Sequence, residues 1–168
     1  MAEEPIYRDD PAMNFVERER LINRYGLGYA AVAAAVGDCP IDELDHRPAP
    51  GAWTPREVVH HLADSESNAY IRLRRLLAED TPLIIGYDQD LWANRLHYDG
   101  PIDAPLAVLR AVRDASFQLL GQLSDADWLR EGTHSESGPY SVETWLNIYA
   151  AHAHDHADQI LRARKGVA

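Results

Sequence analysis

Apolar residues return at three- and four-residue spacing in four separate stretches of this chain, the periodicity a helix needs to bury one face. The first runs from about Glu17 to Val36, where Leu21, Ile22, Tyr25, Tyr29, Val32 and Val36 align despite Gly26 and Gly28, and Gly37 closes it. Asp38 to Gly51 carries Pro40, Pro48 and Pro50 and reads as a long loop. The second stretch has the sharpest start. Thr54-Pro55-Arg56-Glu57 combines an N-cap hydroxyl, proline at the first helical position and glutamate where a capping box places it. This predicts a helix from Pro55 to about Glu79, stopped by Asp80-Thr81-Pro82. The third follows Asp103, turns Leu106, Leu109, Val112, Leu119, Leu120 and Leu123 inward, and ends near Ser124. The last is capped by Ser141 and continues to about Lys165, before Gly166.

The connections are long. Leu83 to Gly100 holds a short apolar run and then Asp88-Gln89-Asp90-Leu91-Trp92, a loop with one short helical piece and long enough to act as a lid or an interface. Asp125 to Arg130 is a further short turn containing Trp128, and Glu131 to Tyr140 reads as a loop or small hairpin over one end. No stretch makes a convincing strand. Four long helices with long connections predict an all-α protein, a four-helix bundle forming one domain over residues 1–168, with residues 1–13 as an extended arm.

Within this pattern, the last helix carries three histidines in five residues. At about 100° per residue, Trp145, Tyr149, His152, His156, Ile160 and Ala163 share one inward stripe, and His154 points the opposite way. Two imidazoles one turn apart supply half of a metal's ligand set. On the second helix, Val58, Leu62, Ala69, Leu73 and Leu76 form the core stripe, and His61, Ser65, Asn68 and Arg72 form a polar line beside it, as in a helix lining a buried cleft. His60 lies further toward solvent, so His61 is the third candidate ligand. Asp64 and Glu66 fall off the ligand face on the same wheel, leaving no obvious general base.

Composition narrows the partners. The 168 residues are 46% hydrophobic, enough for a substantial core. A formal charge of -11 and a pI near 5.0 disfavour nucleic acid and anionic membranes as partners. No basic leader and no run of about 20 apolar residues is seen, so a cytoplasmic location is expected. The single cysteine, Cys39, excludes an internal disulfide and a cysteine-rich metal site.

The run Trp53-Thr54-Pro55-Arg56-Glu57-Val58-Val59-His60-His61-Leu62-Ala63-Asp64-Ser65-Glu66, the segment Asn68-Ala69-Tyr70-Ile71-Arg72 and the terminal His-x-x-x-His resemble the DinB/YfiT-like metalloenzyme family, from about Pro40 to the C-terminus. The Asn-x-Tyr-Ile-Arg segment and the following Glu-Asp-Thr-Pro are most similar to the YfiT branch, which includes bacillithiol S-transferases. The resemblance implies a four-helix bundle with one divalent metal (Zn, Ni, Fe or Mn) per chain on His61, His152 and His156, the same three that the helical wheels select. The chain departs from that pattern at Glu66, where a histidine is common, and in having His-Ala-Asp-Gln-Ile in place of a His-His pair.

The activity implied is transfer of a low-molecular-weight, bacillithiol-like thiol to an electrophile. Asn68 and Arg72 would line the cleft, with Arg72 holding a carboxylate of the thiol. Metal-dependent hydrolysis of an amide or ester is the alternative enzyme, and a non-enzymatic metal-binding stress-response protein the alternative outside catalysis. A homodimer is expected, from the apolar residues of the Leu83–Gly100 loop and from the dimers formed in the YfiT branch.

Overall fold

The computed structural model describes residues 13–167; the arm expected over residues 1–13 lies, apart from Met13, outside them. Four long helices build the bundle: α1 (Phe15–Val36), α3 (Pro55–Ala78), α5 (Asp103–Leu120) and α7 (Val142–Arg164). Short helices α2 (Ile41–Leu44), α4 (Gln89–Arg95) and α6 (Asp125–Trp128) lie in the connections. The expected boundaries hold to within a few residues, except that α5 stops at Leu120 rather than near Ser124. There the chain turns at Gly121, and Ser124 instead caps α6, accepting from the Asp127 N–H while the Asp127 carboxylate accepts from the Ser124 N–H.

Local chemistry fixes the ends. Thr54 Oγ1 accepts from the Glu57 N–H at 3.2 Å and Glu57 accepts from the Thr54 N–H at 2.8 Å, so both halves of the capping box form at the start of α3. Ser141 Oγ accepts from the Thr144 N–H at 3.0 Å at the start of α7. Among the described residues, no helix is long and apolar enough to cross a membrane.

Packing runs around a square in the order α1, α7, α3, α5, so α1 and α3 are diagonal to one another, as are α5 and α7. The connections from α1 to α3 and from α5 to α7 therefore cross the bundle. Of the loop or small hairpin expected over Glu131–Tyr140, the hairpin forms, and a third strand that the sequence did not suggest joins it. β1 (Leu83–Ile84) pairs parallel with β2 (Glu131–His134), which pairs antiparallel with β3 (Gly138–Ser141). The hairpin is local, but β1 joins it from nearly fifty positions earlier, and two residues carry no alternation from which to read a strand.

The Leu83–Gly100 segment divides its apolar residues. Ile84 is buried against the core and Tyr87 packs at a tilt against Trp92 with ring centroids 4.4 Å apart, whereas Leu83, Ile85 and Leu91 remain exposed.

The core has two apolar clusters. One gathers Tyr25, Ala69, Leu73, Leu76, Trp145 and Leu146 toward the sheet, and the other gathers Val32, Val58, Leu62, Leu109, Ala153 and Ile160 toward the opposite end. Between them on successive helices lie Gly28, Glu66, Arg113 and Ser116, all buried. Arg113 Nη1 donates to Glu66 Oε1 at 2.6 Å and Nη2 donates to Tyr25 O at 2.5 Å, while longer bonds of 3.4 Å reach Tyr149 O. One guanidinium on α5 thus binds α1, α3 and α7 together.

Gly28 makes room for it, since a Cβ at that position would collide with the Arg113 guanidinium and with Ala153. Gly28→Ala should therefore destabilise the fold by about 1–3 kcal/mol, the usual range for overpacking a core. The nearest atoms to a Cβ at Gly26 belong to the ring of exposed Phe117, which can swing aside. Gly26→Ala should be neutral or stabilising by up to about 1 kcal/mol, the helix-propensity difference. Urea unfolding of both variants checks the contrast; equal destabilisation would contradict it.

Candidate metal centre and the cleft beside it

His61 projects from α3, and His152 and His156 from the facing turns of α7. One ring nitrogen from each lies within 4.8 Å of the other two. Ring centroids stand 4.9 Å apart for His61 and His156, 5.7 Å for His61 and His152, and 4.6 Å for His152 and His156, all edge to face. Nitrogens bound about 2.1 Å from one ion are at most about 4.2 Å apart, so small side-chain rotations complete such a ligand set.

Hydrogen bonds select which nitrogens are free. His152 Nδ1 lies 3.1 Å from Glu66 Oε1 and His156 Nδ1 lies 2.7 Å from Gln159 Oε1. With oxygen acceptors at both Nδ1 positions, each proton is assigned there and each Nε2 lone pair is left to bind a metal. Nδ1 of His61 is buried with no hydrogen-bond partner, and Trp53 covers that ring at 4.7 Å between centroids. Three neutral nitrogen donors converging from two helices fit a borderline divalent ion.

His60 and His154 do other work. His60 Nε2 lies 3.1 Å from Gly100 O and the ring stacks on Tyr98, anchoring the connection before α5. His154 Nε2 lies 2.8 Å from Arg24 O, on the side facing α1.

Glu66 requires a correction. The wheel set it aside with Asp64 as lying off the ligand face, yet its side chain is fully buried and touches both His152 and Arg113. Glu66 lies about 140° from His61 but only about 20° from Leu73, on the far flank of the core stripe. A helix packed between two neighbours buries that whole arc, and His152 approaches from the neighbour. Asp64 instead accepts from the Tyr98 hydroxyl at 2.7 Å.

A cleft of about 260 Å³ opens beside the histidines, between the bundle and the small sheet. His152, Tyr149, Ser65 and Arg72 line its bundle side, and Tyr87, His134 and Tyr140 line the opposite side. Arg72 donates to the Tyr149 hydroxyl at 3.1 Å and to Ile85 O at 2.9 Å, tying the Leu83–Gly100 segment to α3. Asn68 is not among the lining residues; its Nδ2 donates to Asp64 O one turn back on its own helix. His134 had no signal in the sequence, because its burial depends on the sheet.

A bundle in which histidines of two neighbouring helices converge beside an open cleft has the architecture of helical proteins that hold metal ions in the core. The comparisons agree with that class. The DinB superfamily pattern matches residues 25–160, and the chain belongs to this superfamily. A protein of Oceanobacillus iheyensis provisionally named a metal-dependent hydrolase is 40% identical over 119 residues, 71% of this chain and 69% of its own. One of Bacillus mycoides with the same provisional name is 33% identical over 134 residues, 80% of this chain and 78% of its own. Among solved structures, YfiT from Bacillus subtilis, described as a probable metal-dependent hydrolase with an unusual four-helix bundle topology, superposes with a TM-score of 0.86 at 30% identity, covering 96% of this chain and 95% of that one.

Burial, reinforced by His156 and His152, pushes His61 down to about 3, and burial with the neighbouring His152 pushes His156 down to about 4. Both fall from an ordinary 6.5. Above that value, folded and unfolded chains alike hold these rings neutral and stability is unaffected. As pH falls from 6.5, the unfolded chain takes up protons that the folded chain refuses, so stability declines until the folded values are reached. The metal-free protein should lose up to about 1.4 kcal/mol per pH unit per histidine below 6.5. Chemical denaturation from pH 7 to pH 5 measures this, and His61→Asn should flatten the dependence; a flat wild-type profile would contradict it.

Proposed function

We propose that the chain is a divalent-metal-dependent enzyme whose ion is held by His61, His152 and His156. The observation that carries this is the convergence of three imidazole nitrogens within 4.8 Å, beside a cleft large enough for a small molecule. A divalent ion on three neutral imidazoles supplies positive charge with open coordination positions, which lowers the pKa of a bound thiol or water.

The reaction favoured is transfer of a low-molecular-weight thiol to an electrophile. Such a reaction needs a thiolate, whose proton would pass to solvent once a bound ion had lowered the thiol pKa; its sulfur then bonds the electrophilic carbon as the leaving group departs with the bonding pair. Glu66 holds both Arg113 and His152 through Oε1, which suits a residue that orients a ligand, and its Oε2 is buried without a partner. Arg72 and the tyrosines around it supply the binding surface. Asn68, bonded within its own helix, is left a role in supporting α3. Hydrolysis of an amide or ester is the second reading, favoured by the provisional names of the Oceanobacillus and Bacillus relatives.

Metal-replete protein should carry about one divalent ion per chain by elemental analysis, His156→Ala should lose most of it, and His154→Ala should keep it. Equal loss in both variants would sink the ligand assignment.

Turnover separates the reactions. With a generic electrophile and a panel of cellular thiols, thiol consumption should require the metal and stop on chelation. Metal-dependent ester or amide cleavage with no thiol consumption would instead establish the hydrolase.

A further inference from the structure

Arg72 is a half-buried cation that no carboxylate neutralises: among the described residues, its guanidinium donates only to the neutral Tyr149 hydroxyl and Ile85 O, and it forms no ion pair. The chain as a whole has 27 acidic residues against 16 lysines and arginines, so a bare guanidinium in a cleft needs an explanation. By contrast Arg113, Arg56 and Arg47 are each paired with a carboxylate at 2.7 Å or less.

The groups around Arg72 are donors. Tyr87 and Tyr140 line the same cleft, and neither buried hydroxyl makes a hydrogen bond of good geometry, although Tyr87 has Ser65 beside it and Tyr140 has Tyr149 and Arg72. Burial pushes both phenols above the ordinary tyrosine value, so they keep their protons at neutral pH. His134 completes the set. Its Nδ1 accepts the Glu136 N–H at 3.3 Å, which leaves the proton of the neutral ring on Nε2. Burial, with Arg72 nearby, keeps this ring below the usual histidine range and hence neutral. The one carboxylate lining the cleft belongs to Glu136, which is exposed and makes no ion pair with Arg72.

We propose that this cleft is a carboxylate-binding subsite, in which Arg72 supplies the charge and Tyr87, Tyr140 and the Nε2–H of His134 supply neutral donors to the carboxylate oxygens. Charge-assisted bonds from a guanidinium are the strongest such donors available, and unpartnered buried hydroxyls gain most from an anionic acceptor. The subsite adjoins the metal centre through Tyr149 and His152, so it rests on the proposed function only in specifying that the small-molecule substrate carries a carboxylate.

Calorimetric titration of the full chain with succinate, and with the neutral analogue succinamide, tests the assignment. Succinate should bind saturably to the wild type and equally to His156→Ala, which separates the subsite from the metal. Arg72→Gln should weaken binding by about tenfold or more, Arg72→Lys should restore part of it, and Tyr87→Phe with Tyr140→Phe should weaken it several-fold at unchanged melting temperature. Equal binding of succinamide, absence of saturable succinate binding, or loss of binding in His156→Ala with retention in Arg72→Gln would each overturn the proposal. Metal content, measured on the same samples, reports independently on the histidine centre.

Discussion

A carboxylate in the middle of a helical bundle loses its water, and that loss is tolerable only when charges and donors of the protein replace it. Glu66 is such a group, and much of the architecture can be traced from it. Arg113 must reach it from α5, which requires a helix without a side chain at Gly28. The two terminal nitrogens of the guanidinium also donate to Tyr25 O and Tyr149 O, while its Nε is buried without a partner. The two apolar clusters on either side exclude water from the pair and hold the four helices at the spacing it needs. The second acceptor contact of Glu66 falls on His152, so the polar layer that crosses the bundle also orients one of the three converging imidazoles.

Much of this was legible in the sequence. Spacing and capping residues announced the four long helices, because Thr54, Pro55, Glu57 and Ser141 act through bonds to their own neighbours. The three histidines were separable from His60 and His154 because helical phase is a local property. What escaped depends on neighbours. Arg113 lies four residues from Leu109 and three from Ser116, an inward spacing in hindsight, yet an arginine on an amphipathic helix is ordinarily solvated. Glu66 was dismissed because the wheel measured its distance from His61, whereas the side chain answers to α5 and α7. The third strand was invisible for a different reason: β1 contributes two residues and finds its partner only after α5 has been laid down between them.

The sheet matters beyond topology because it supplies one wall of the cleft. His134 and Tyr140 stand on β2 and β3, Tyr87 follows β1, and Arg72 bonds the same connection through Ile85 O. The bundle therefore provides the rigid histidine centre, while chemistry-bearing groups on the opposite wall come from the connections. This division suits a scaffold whose ligand centre stays constant as the loops vary, since connections accept sequence change more readily than packed helices.

The contact between Gly28 and Arg113 also constrains how the chain can diverge. Replacing Glu66 alone strands a buried guanidinium, replacing Arg113 alone strands a buried carboxylate, and adding any side chain at position 28 displaces the cation that joins them. Stepwise drift at these positions passes through unstable intermediates, whereas a concerted exchange of the pair for apolar residues of similar volume would not. A library randomised at one of these three sites should be depleted of survivors, and one randomised at all three together should recover them. The polar layer thus couples three positions on three helices into one constraint.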